Sequence, residues 1–207
     1  MQNSLYLASG SPRRWQLLQE LGLNLIKVEA EIDETPLPNE SAERYAVRMA
    51  EQKNQRARQV LGREPQFPLL TADTTVAFKH HILGKPESAA HAAEILHLLS
   101  GTTHQVLTAV CVYFQGESHN VLQTNDVTFA DLSEAEIQAY IASGEPMDKA
   151  GAFAIQGFGS LFIRHISGSF SGIMGLPIYE TTQLLLKCGL PHLLLSQVGK
   201  SQTGKSA

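Results

Sequence analysis

The chain has 207 residues, and its Lys and Arg total 16 against 20 for Asp and Glu, a formal net charge of −4. With 43% hydrophobic and 17% charged residues, the composition predicts a globular chain with a real core and excludes general disorder. A mildly acidic chain without a basic block argues against binding of nucleic acid or of an acidic membrane as the main task.

Hydrophobic periodicity, with glycine and proline as breaks, predicts alternating strands and helices over most of the chain. A Ser-x-x-Glu capping box at 133–136 marks one helix start. Seven of the 16 glycines fall between 144 and 175, which predicts turns or backbone close to a ligand. The predicted elements are a strand at 5–8, a helix ending before 22, a strand at 24–31, a helix at 45–61, a strand at 67–78, a helix at 88–99, strands at 106–114 and 121–129 joined by a turn at 115–120, a helix at 133–144 and a helix at 177–189.

The sequence carries no pattern typical of a membrane span, a signal peptide or paired cysteines. No apolar run approaches the ~18 residues that span a bilayer, and the first residues lack the apolar stretch of a signal peptide. We therefore expect a cytoplasmic protein. The two cysteines, Cys111 and Cys188, have neither the number nor the spacing of a disulfide scaffold or a metal site, so we expect buried thiols.

Two arginines, Arg13 and Arg14, begin the first predicted helix, directly after Ser9-Gly10-Ser11-Pro12. Positive charge at a helix N-terminus opposes the helix dipole, at a cost of roughly 0.3 to 1 kcal/mol for each exposed residue. A bound phosphate would reverse that sign, because N–H groups at a glycine turn and guanidinium groups both bind phosphate. The alternative is two solvated arginines on an ordinary capped helix.

Asp73 lies in a run, 69–78, that is otherwise apolar or β-branched. An ionised carboxylate there costs several kcal/mol unless a cation or hydrogen bonds meet it. Such an acid can position a metal-bound water or accept its proton, or it can merely cap a turn at the strand end. Lys53 falls on the core-facing side of its predicted helix, where it either meets an acid or phosphate or extends to solvent.

Charges in predicted loops ordinarily face solvent, and this applies to Glu34, Lys85 and the pair Asp148-Lys149. Gln156, in the glycine-dense region, could bond a base edge or backbone. Residues 199–206 match the G-x-x-x-x-G-K-S pattern, but no helix follows to complete a phosphate site, so we regard the match as accidental. We expect one domain over 1–189 and a partly disordered tail over 190–207.

Six short motifs occur in order between about residues 4 and 189. Together they resemble the Maf family of nucleoside triphosphate pyrophosphatases. The run from 148 to 159, which contains Gln156, is similar to the branch acting on dTTP and UTP, although Phe153 stands where that branch usually has Tyr. The motifs are Ala8-Ser9-Gly10-Ser11-Pro12-Arg13-Arg14, the helical Lys53, Thr71-Ala72-Asp73-Thr74, Gly84-Lys85-Pro86, Asp148-Lys149-Ala150-Gly151 and Ile155-Gln156-Gly157.

The resemblance implies an α/β fold of the Maf and ITPase-like type, with an elongated mixed β-sheet flanked by helices and a cleft between two lobes. It implies a homodimer, a divalent cation (Mg²⁺ first, Mn²⁺ or Co²⁺ otherwise), and hydrolysis of dTTP, UTP and modified pyrimidine nucleotides to monophosphate and pyrophosphate. Asp73 matches the proton acceptor, and Asp73 with Glu34 the metal positions. The substrate positions are Ser9, Arg13, Arg14, Lys53, Thr74, Lys85, Lys149 and Gln156, of which Arg13, Thr74 and Gln156 match specificity positions.

Three other functions are alternatives to the pyrophosphatase. A non-catalytic nucleotide sensor would use the arginines and glycines without Asp73 as a base. A regulator of cell division or septum formation would act by protein contact, and no motif supports it here. A phosphomonoesterase would release orthophosphate. The acid, the lysines and Glu34 occurring together favour the pyrophosphatase.

Overall fold

The computed structural model describes residues 3–79, 81–191 and 193–194. None of the helices in this part of the chain is long and apolar enough to cross a membrane. The helices are α1 (Pro12–Glu20), α2 (Ala42–Leu61), α3 (Ala89–Leu99), α4 (Glu134–Ala142), α5 (Phe170–Met174) and α6 (Ile178–Lys187), and the strands are β1 (Ser4–Leu7), β2 (Asn24–Lys27), β3 (Leu69–Phe78), β4 (His81–Leu83), β5 (Thr103–Phe114), β6 (Glu117–Phe129) and β7 (Ile163–Ser167).

The strands of the described chain form one mixed sheet with the order β2-β1-β3-β5-β6-β7, and β4 pairs with β3 beside this path. β1 runs parallel to β2 and to β3. The pairs β3–β5, β5–β6 and β6–β7 are antiparallel. The expected α/β fold with a mixed sheet flanked by helices is therefore confirmed.

The edge of β3 that faces away from β5 is covered at its ends and open in its middle. β1 pairs with this edge as far as Leu70, and β4 pairs with it from Val76 onward. On the opposite edge, β5 pairs with every residue from Leu69 to Ala77. Residues 71–75 thus have no strand partner on one side within the described residues, and we call this stretch the β3 gap.

Two apolar clusters lie on one face of β3, separated by a polar position. Leu70 and Ala72 pack in a cluster with α1 and α6. Val76 and Phe78 pack in a second cluster with α3 and α4. Thr74 lies between them on the same face, because side chains two residues apart in a strand share a face. This division corresponds to the two lobes that we expected on either side of a cleft.

The other face of β3 is covered by α2. Ser41 caps this helix by accepting from the backbone N–H of Arg44, and Gly62 ends it with a left-handed φ of 61°. The helix therefore begins three residues before the predicted start at 45. The Thr71 hydroxyl donates to the backbone oxygen of Ala50 at 2.7 Å. Together with the bond from Asn54 to the backbone oxygen of Leu69, this contact joins α2 to β3.

Some elements differ from their predictions. β2 ends at Lys27 instead of 31, and the predicted turn at 115–120 is only two residues long, since Gln115 and Gly116 both have positive φ and the strands pair directly on either side. The strands β4 and β7 were not predicted, because three residues and a polar pentapeptide give too little pattern. The capping box at 133–136 is present as predicted.

The C-terminal predictions fall partly outside the described residues. The phosphate-loop match at 199–206 and the disorder expected there lie outside the described residues. Leu190 is described: it is buried, and it packs in the cluster with α1 and α6. The boundary at residue 189 remains a prediction.

Both cysteines are buried free thiols, as predicted. Burial raises the pKa of Cys111 to about 12.

Candidate active site

Lys53 joins two carboxylates at the β3 gap. Its Nζ lies 2.8 Å from Asp73 Oδ1 and 2.8 Å from Glu34 Oε1. The side chains of Lys53 and Asp73 are only 15% and 10% exposed, whereas that of Glu34 is 55% exposed. The second oxygen of Asp73, Oδ2, accepts from the Thr75 hydroxyl at 2.9 Å. The cation expected beside Asp73 is therefore Lys53, and Asp73 lies mid-strand and does not cap a turn.

The loop that carries Glu34 is held by two side chains of α2. The Tyr45 hydroxyl donates to the backbone oxygen of Glu34 at 2.8 Å. Arg48 donates to the backbone oxygen of Thr35 at 3.1 Å and makes two bonds of 2.6 Å to the Glu40 carboxylate. The bonds from Arg48 lower the pKa of Glu40 to about 2.

The sequence did not indicate the roles of Tyr45 and Arg48. Their spacing of three residues places them on the same side of α2, which is the one signal that could have found them. Burial, together with the charges of Asp73 and Glu34, raises the pKa of Tyr45 to about 12, so its hydroxyl remains a donor at neutral pH.

Arg14 connects the start of α1 to β3 on the opposite face of the strand. Its Nη1 donates to Ser9 Oγ at 3.2 Å, its Nη2 to Thr74 Oγ1 at 3.0 Å, and its Nε to the backbone oxygen of Gly175 at 2.7 Å. Thr74 Oγ1 also lies 2.9 Å from the hydroxyl of Thr108. Three predicted substrate residues, Ser9, Arg14 and Thr74, therefore form one hydrogen-bonded group.

The charges of the two faces act on each other. Burial lowers the pKa of Arg14, and the negative charge of Asp73 opposes that effect more than any other group. Glu34 acts in the same direction as Asp73, and Arg13 in the opposite one. The hydrogen-bonded group around Arg14 and the carboxylates joined by Lys53 thus share one electrostatic environment, although they lie on opposite faces of β3.

The segment after α4 supplies a further cation. Lys149 pairs with the carboxylate of its neighbour Asp148, which lowers the pKa of Asp148, and the charge of Arg13 adds a smaller effect in the same direction. The Nζ of Lys149 also lies 3.5 Å from the backbone oxygen of Glu145. The Nε of Arg13 is buried and has no hydrogen-bond partner in the described part of the chain.

Lys85 and Gln156 are exposed, and within the described residues neither side chain bonds to another predicted site residue. The loop of Lys85 is nevertheless joined to the segment of Lys149, because Gly151 N donates to the backbone oxygen of Gly84 at 3.0 Å. Gln156 directly precedes Gly157, which has a φ of 85°. Side-chain contacts therefore join Ser9, Arg14 and Thr74 in one group and Glu34, Lys53 and Asp73 in another. They do not join Arg13, Lys85 or Gln156 to either group within the described residues.

A divalent cation would have two carboxylates available, those of Asp73 and Glu34. Groups of three or more His, Cys, Asp or Glu side chains suited to a metal are absent from residues 3–79 and 81–191. Both carboxylates reach the same ammonium group. This donor set fits Mg²⁺, which typically takes one or two carboxylates and completes its shell with water and substrate phosphates.

Comparison with known proteins identifies the family to which this chain is similar. The family model described as Maf-like protein matches residues 4–188. The chain is 55% identical over 191 residues to the dTTP/UTP pyrophosphatase of Neisseria meningitidis serogroup A, covering 90% of this chain and 95% of that protein. It is 54% identical over 195 residues to the nucleoside triphosphate pyrophosphatase of Haemophilus ducreyi, covering 93% and 99%.

A further relative is the dTTP/UTP pyrophosphatase of Pasteurella multocida, 52% identical over 191 residues, with 89% of this chain and 96% of that protein covered. Among solved structures, the Staphylococcus aureus Ham1 protein is matched with a TM-score of 0.45 and 15% identity, over 62% of this chain and 72% of that one. A similarity this low carries no argument.

Proposed function

The chain belongs to the Maf family, and we propose that it is a nucleoside triphosphate pyrophosphatase that hydrolyses dTTP and UTP to the monophosphate and pyrophosphate. The observation that carries this proposal is the placement of Asp73, bonded to Lys53, at the β3 gap of a chain 55% identical to a dTTP/UTP pyrophosphatase. Modified pyrimidine nucleotides are included in the proposed substrates. The activity would serve as housekeeping of the nucleotide pool.

In this proposal Asp73 accepts the proton of the attacking water. The water oxygen attacks the α-phosphorus, the bond from that phosphorus to the bridging oxygen breaks, and pyrophosphate leaves. A carboxylate has about four lone-pair sites, and Lys53 and Thr75 occupy one on each oxygen of Asp73. A site for water therefore remains on each oxygen. Lys53 orients the carboxylate through their 2.8 Å contact.

The cations around the β3 gap would hold the triphosphate, which explains why a chain of net negative charge can bind an anion. Arg14 has five N–H groups, and three of them bond to the protein. We assign it the task of holding Ser9 and Thr74 in place, with two N–H groups left for phosphate. The other proposed phosphate contacts are Ser9, Arg13, Lys53, Lys85 and Lys149.

Selection of the base is assigned to Arg13, Thr74 and Gln156. A base whose edge does not match leaves buried polar groups unpaired, and that cost discriminates strongly between substrates. Asp73 and Glu34 would hold a divalent cation, Mg²⁺ first, with Mn²⁺ or Co²⁺ as alternatives. When bound, such an ion supplies positive charge to the phosphate oxygens. The homodimer remains a prediction from the resemblance, and the cytoplasmic location remains a prediction from the lack of signal-peptide and membrane-spanning patterns in the sequence.

Hydrolysis of a nucleotide panel in ¹⁸O-labelled water with Mg²⁺ tests the function. We expect monophosphate and pyrophosphate from dTTP and UTP, with the label in the monophosphate because water attacks the α-phosphorus. Label in pyrophosphate would place the attack at the β-phosphorus instead. Release of orthophosphate would support the phosphomonoesterase, and nucleotide binding without turnover would support the non-catalytic sensor.

A further inference from the structure

The carboxylate of Glu145 holds the backbone that follows Gln156. Phe158 N donates to Glu145 Oε2 at 2.9 Å, and Gly159 N donates to Glu145 Oε1 at 2.9 Å. The hydroxyl of Tyr140, on α4, donates to the same Oε1 at 3.0 Å. One half-buried side chain therefore binds two consecutive N–H groups, thirteen and fourteen residues further along the chain.

The loop lies close against this carboxylate and against Tyr140. A side chain at Gly157 would collide with the Glu145 carboxylate, and φ at Gly157 is 85°. A Cβ at Gly159 would lie 2.8 Å from the Tyr140 hydroxyl and 2.5 Å from the backbone oxygen of Ala154. Glycine at 157 and 159 is thus required by the close approach of Glu145 and Tyr140 to the loop.

The hydrogen bonds around Glu145 require its ionised form. Burial raises the pKa of Glu145, but the hydrogen bonds from Gly159, Phe158 and Tyr140 outweigh burial, and the pKa is lowered overall. An ionised carboxylate accepts at both oxygens, as this arrangement requires. Hydrogen bonds to a charged acceptor are also stronger than neutral ones.

We propose that Glu145 is a positioning residue for selection of the nucleobase: it fixes the backbone at 157–159 and thereby the direction in which Gln156 leaves the chain. The proposal rests on the proposed function. The exposed Gln156 side chain has no hydrogen bond within the described residues, so the backbone is what sets the point and the Cα–Cβ direction from which it extends. The backbone oxygen of Glu145 also accepts from Lys149, which links the loop to a proposed phosphate contact.

Glu145→Gln changes the acceptor count and keeps the size. A glutamine has one acceptor oxygen, so in either orientation its amide NH₂ faces the N–H of Phe158 or of Gly159, and one of the two bonds is lost. We expect the ratio of kcat/KM for dTTP over dCTP to fall about tenfold, as for one lost charge-assisted hydrogen bond. The loss lies in KM for dTTP, with kcat within about threefold, since Asp73 and Lys53 are not touched.

Two further variants make the result specific. Tyr140→Phe removes one donor to Oε1 and leaves both backbone bonds, so we expect a smaller change in the same direction. Ser133→Ala is the matched control: it removes the two bonds between the Ser133 hydroxyl and Glu136 at the start of α4 and touches nothing in the loop. It should lower the melting temperature and leave the selectivity ratio unchanged.

Amide hydrogen exchange without nucleotide gives a readout that does not depend on activity. The N–H groups of Phe158 and Gly159 should exchange faster in Glu145→Gln than in the wild type, while those of β5 stay protected. If the wild type fails to hydrolyse dTTP, the proposed function falls while exchange still tests the contact. Unchanged selectivity in Glu145→Gln, equal loss on every nucleotide, or the same change in Ser133→Ala would overturn the positioning role.

Discussion

Replacing Asp73 by Asn tests the proposed proton acceptor most directly, because the amide has the same shape and cannot take up the proton. We expect kcat for dTTP to fall by about 10² or more, the usual loss when a general base is removed. That corresponds to about 2.7 kcal/mol of transition-state stabilisation. Nucleotide binding should change little.

The cost of this substitution to stability should be small for a buried charged residue. Removing one partner of a buried ion pair typically costs about 3–5 kcal/mol, because the other charge is left uncompensated. Here Lys53 keeps its 2.8 Å contact with Glu34 and is itself 15% exposed. We therefore expect a loss of about 1 kcal/mol, the value of one hydrogen bond.

The matched control is Thr71→Val, in the same strand and on the same face. It removes a buried hydroxyl that donates to Ala50 on α2 and does not touch Asp73. Urea unfolding should show about 1 kcal/mol lost in this variant too, and steady-state kinetics with dTTP should show an unchanged kcat. The reasoning is refuted if Asp73→Asn keeps a near-wild-type kcat, or if Thr71→Val loses as much activity as Asp73→Asn.

Three other substitutions have expected outcomes. Arg14→Lys replaces a planar guanidinium that makes three hydrogen bonds by a single ammonium group. The kcat/KM for dTTP should fall about tenfold, and the free energy of unfolding in urea should fall by about 2 kcal/mol. Unchanged kinetics would contradict this. The contact of Glu40 with Arg48 stabilises the fold fully above the ordinary glutamate pKa of 4.5, and this stabilisation is lost as the pH falls towards about 2. The difference in unfolding free energy between the wild type and Glu40→Gln should therefore shrink as the pH falls over that range. A difference that stays constant with pH would contradict this. Leu190→Ala should cost about 2 kcal/mol, because this side chain is 7% exposed in the core, without changing kcat; an unaffected melting temperature would place Leu190 outside the fold.

Much of the fold follows from sequence pattern. The run at 67–78 was predicted as a strand with one acid, and β3 covers most of it. The β3 gap could not be predicted, since it depends on where β1 stops pairing and on β4, a strand of three residues. Periodicity does not detect an element that short.

Only part of the candidate site could be predicted from the sequence. The sequence indicated that Asp73 needs a cation and that Lys53 faces inward, and the structure joins the two. The contacts of Glu145 with Phe158 and Gly159 were not foreseen, because backbone N–H groups leave no mark in the residue types they belong to. The glycines at 157 and 159 were the one visible sign, and they could not identify the acceptor.

Asp73 and Thr74 are consecutive residues that leave β3 on opposite faces, one towards Lys53 and one towards Arg14. If Thr74 selects the base and Asp73 accepts the proton, as proposed, a substitution at position 74 can change base preference and leave the hydrogen bonds of Asp73 in place, because the two side chains bond to different partners. An insertion or deletion of one residue in β3, by contrast, would affect both positions at once. A shift of one residue exchanges the two faces, so it would put Thr74 beside Lys53 and remove the proposed proton acceptor and the proposed base contact together.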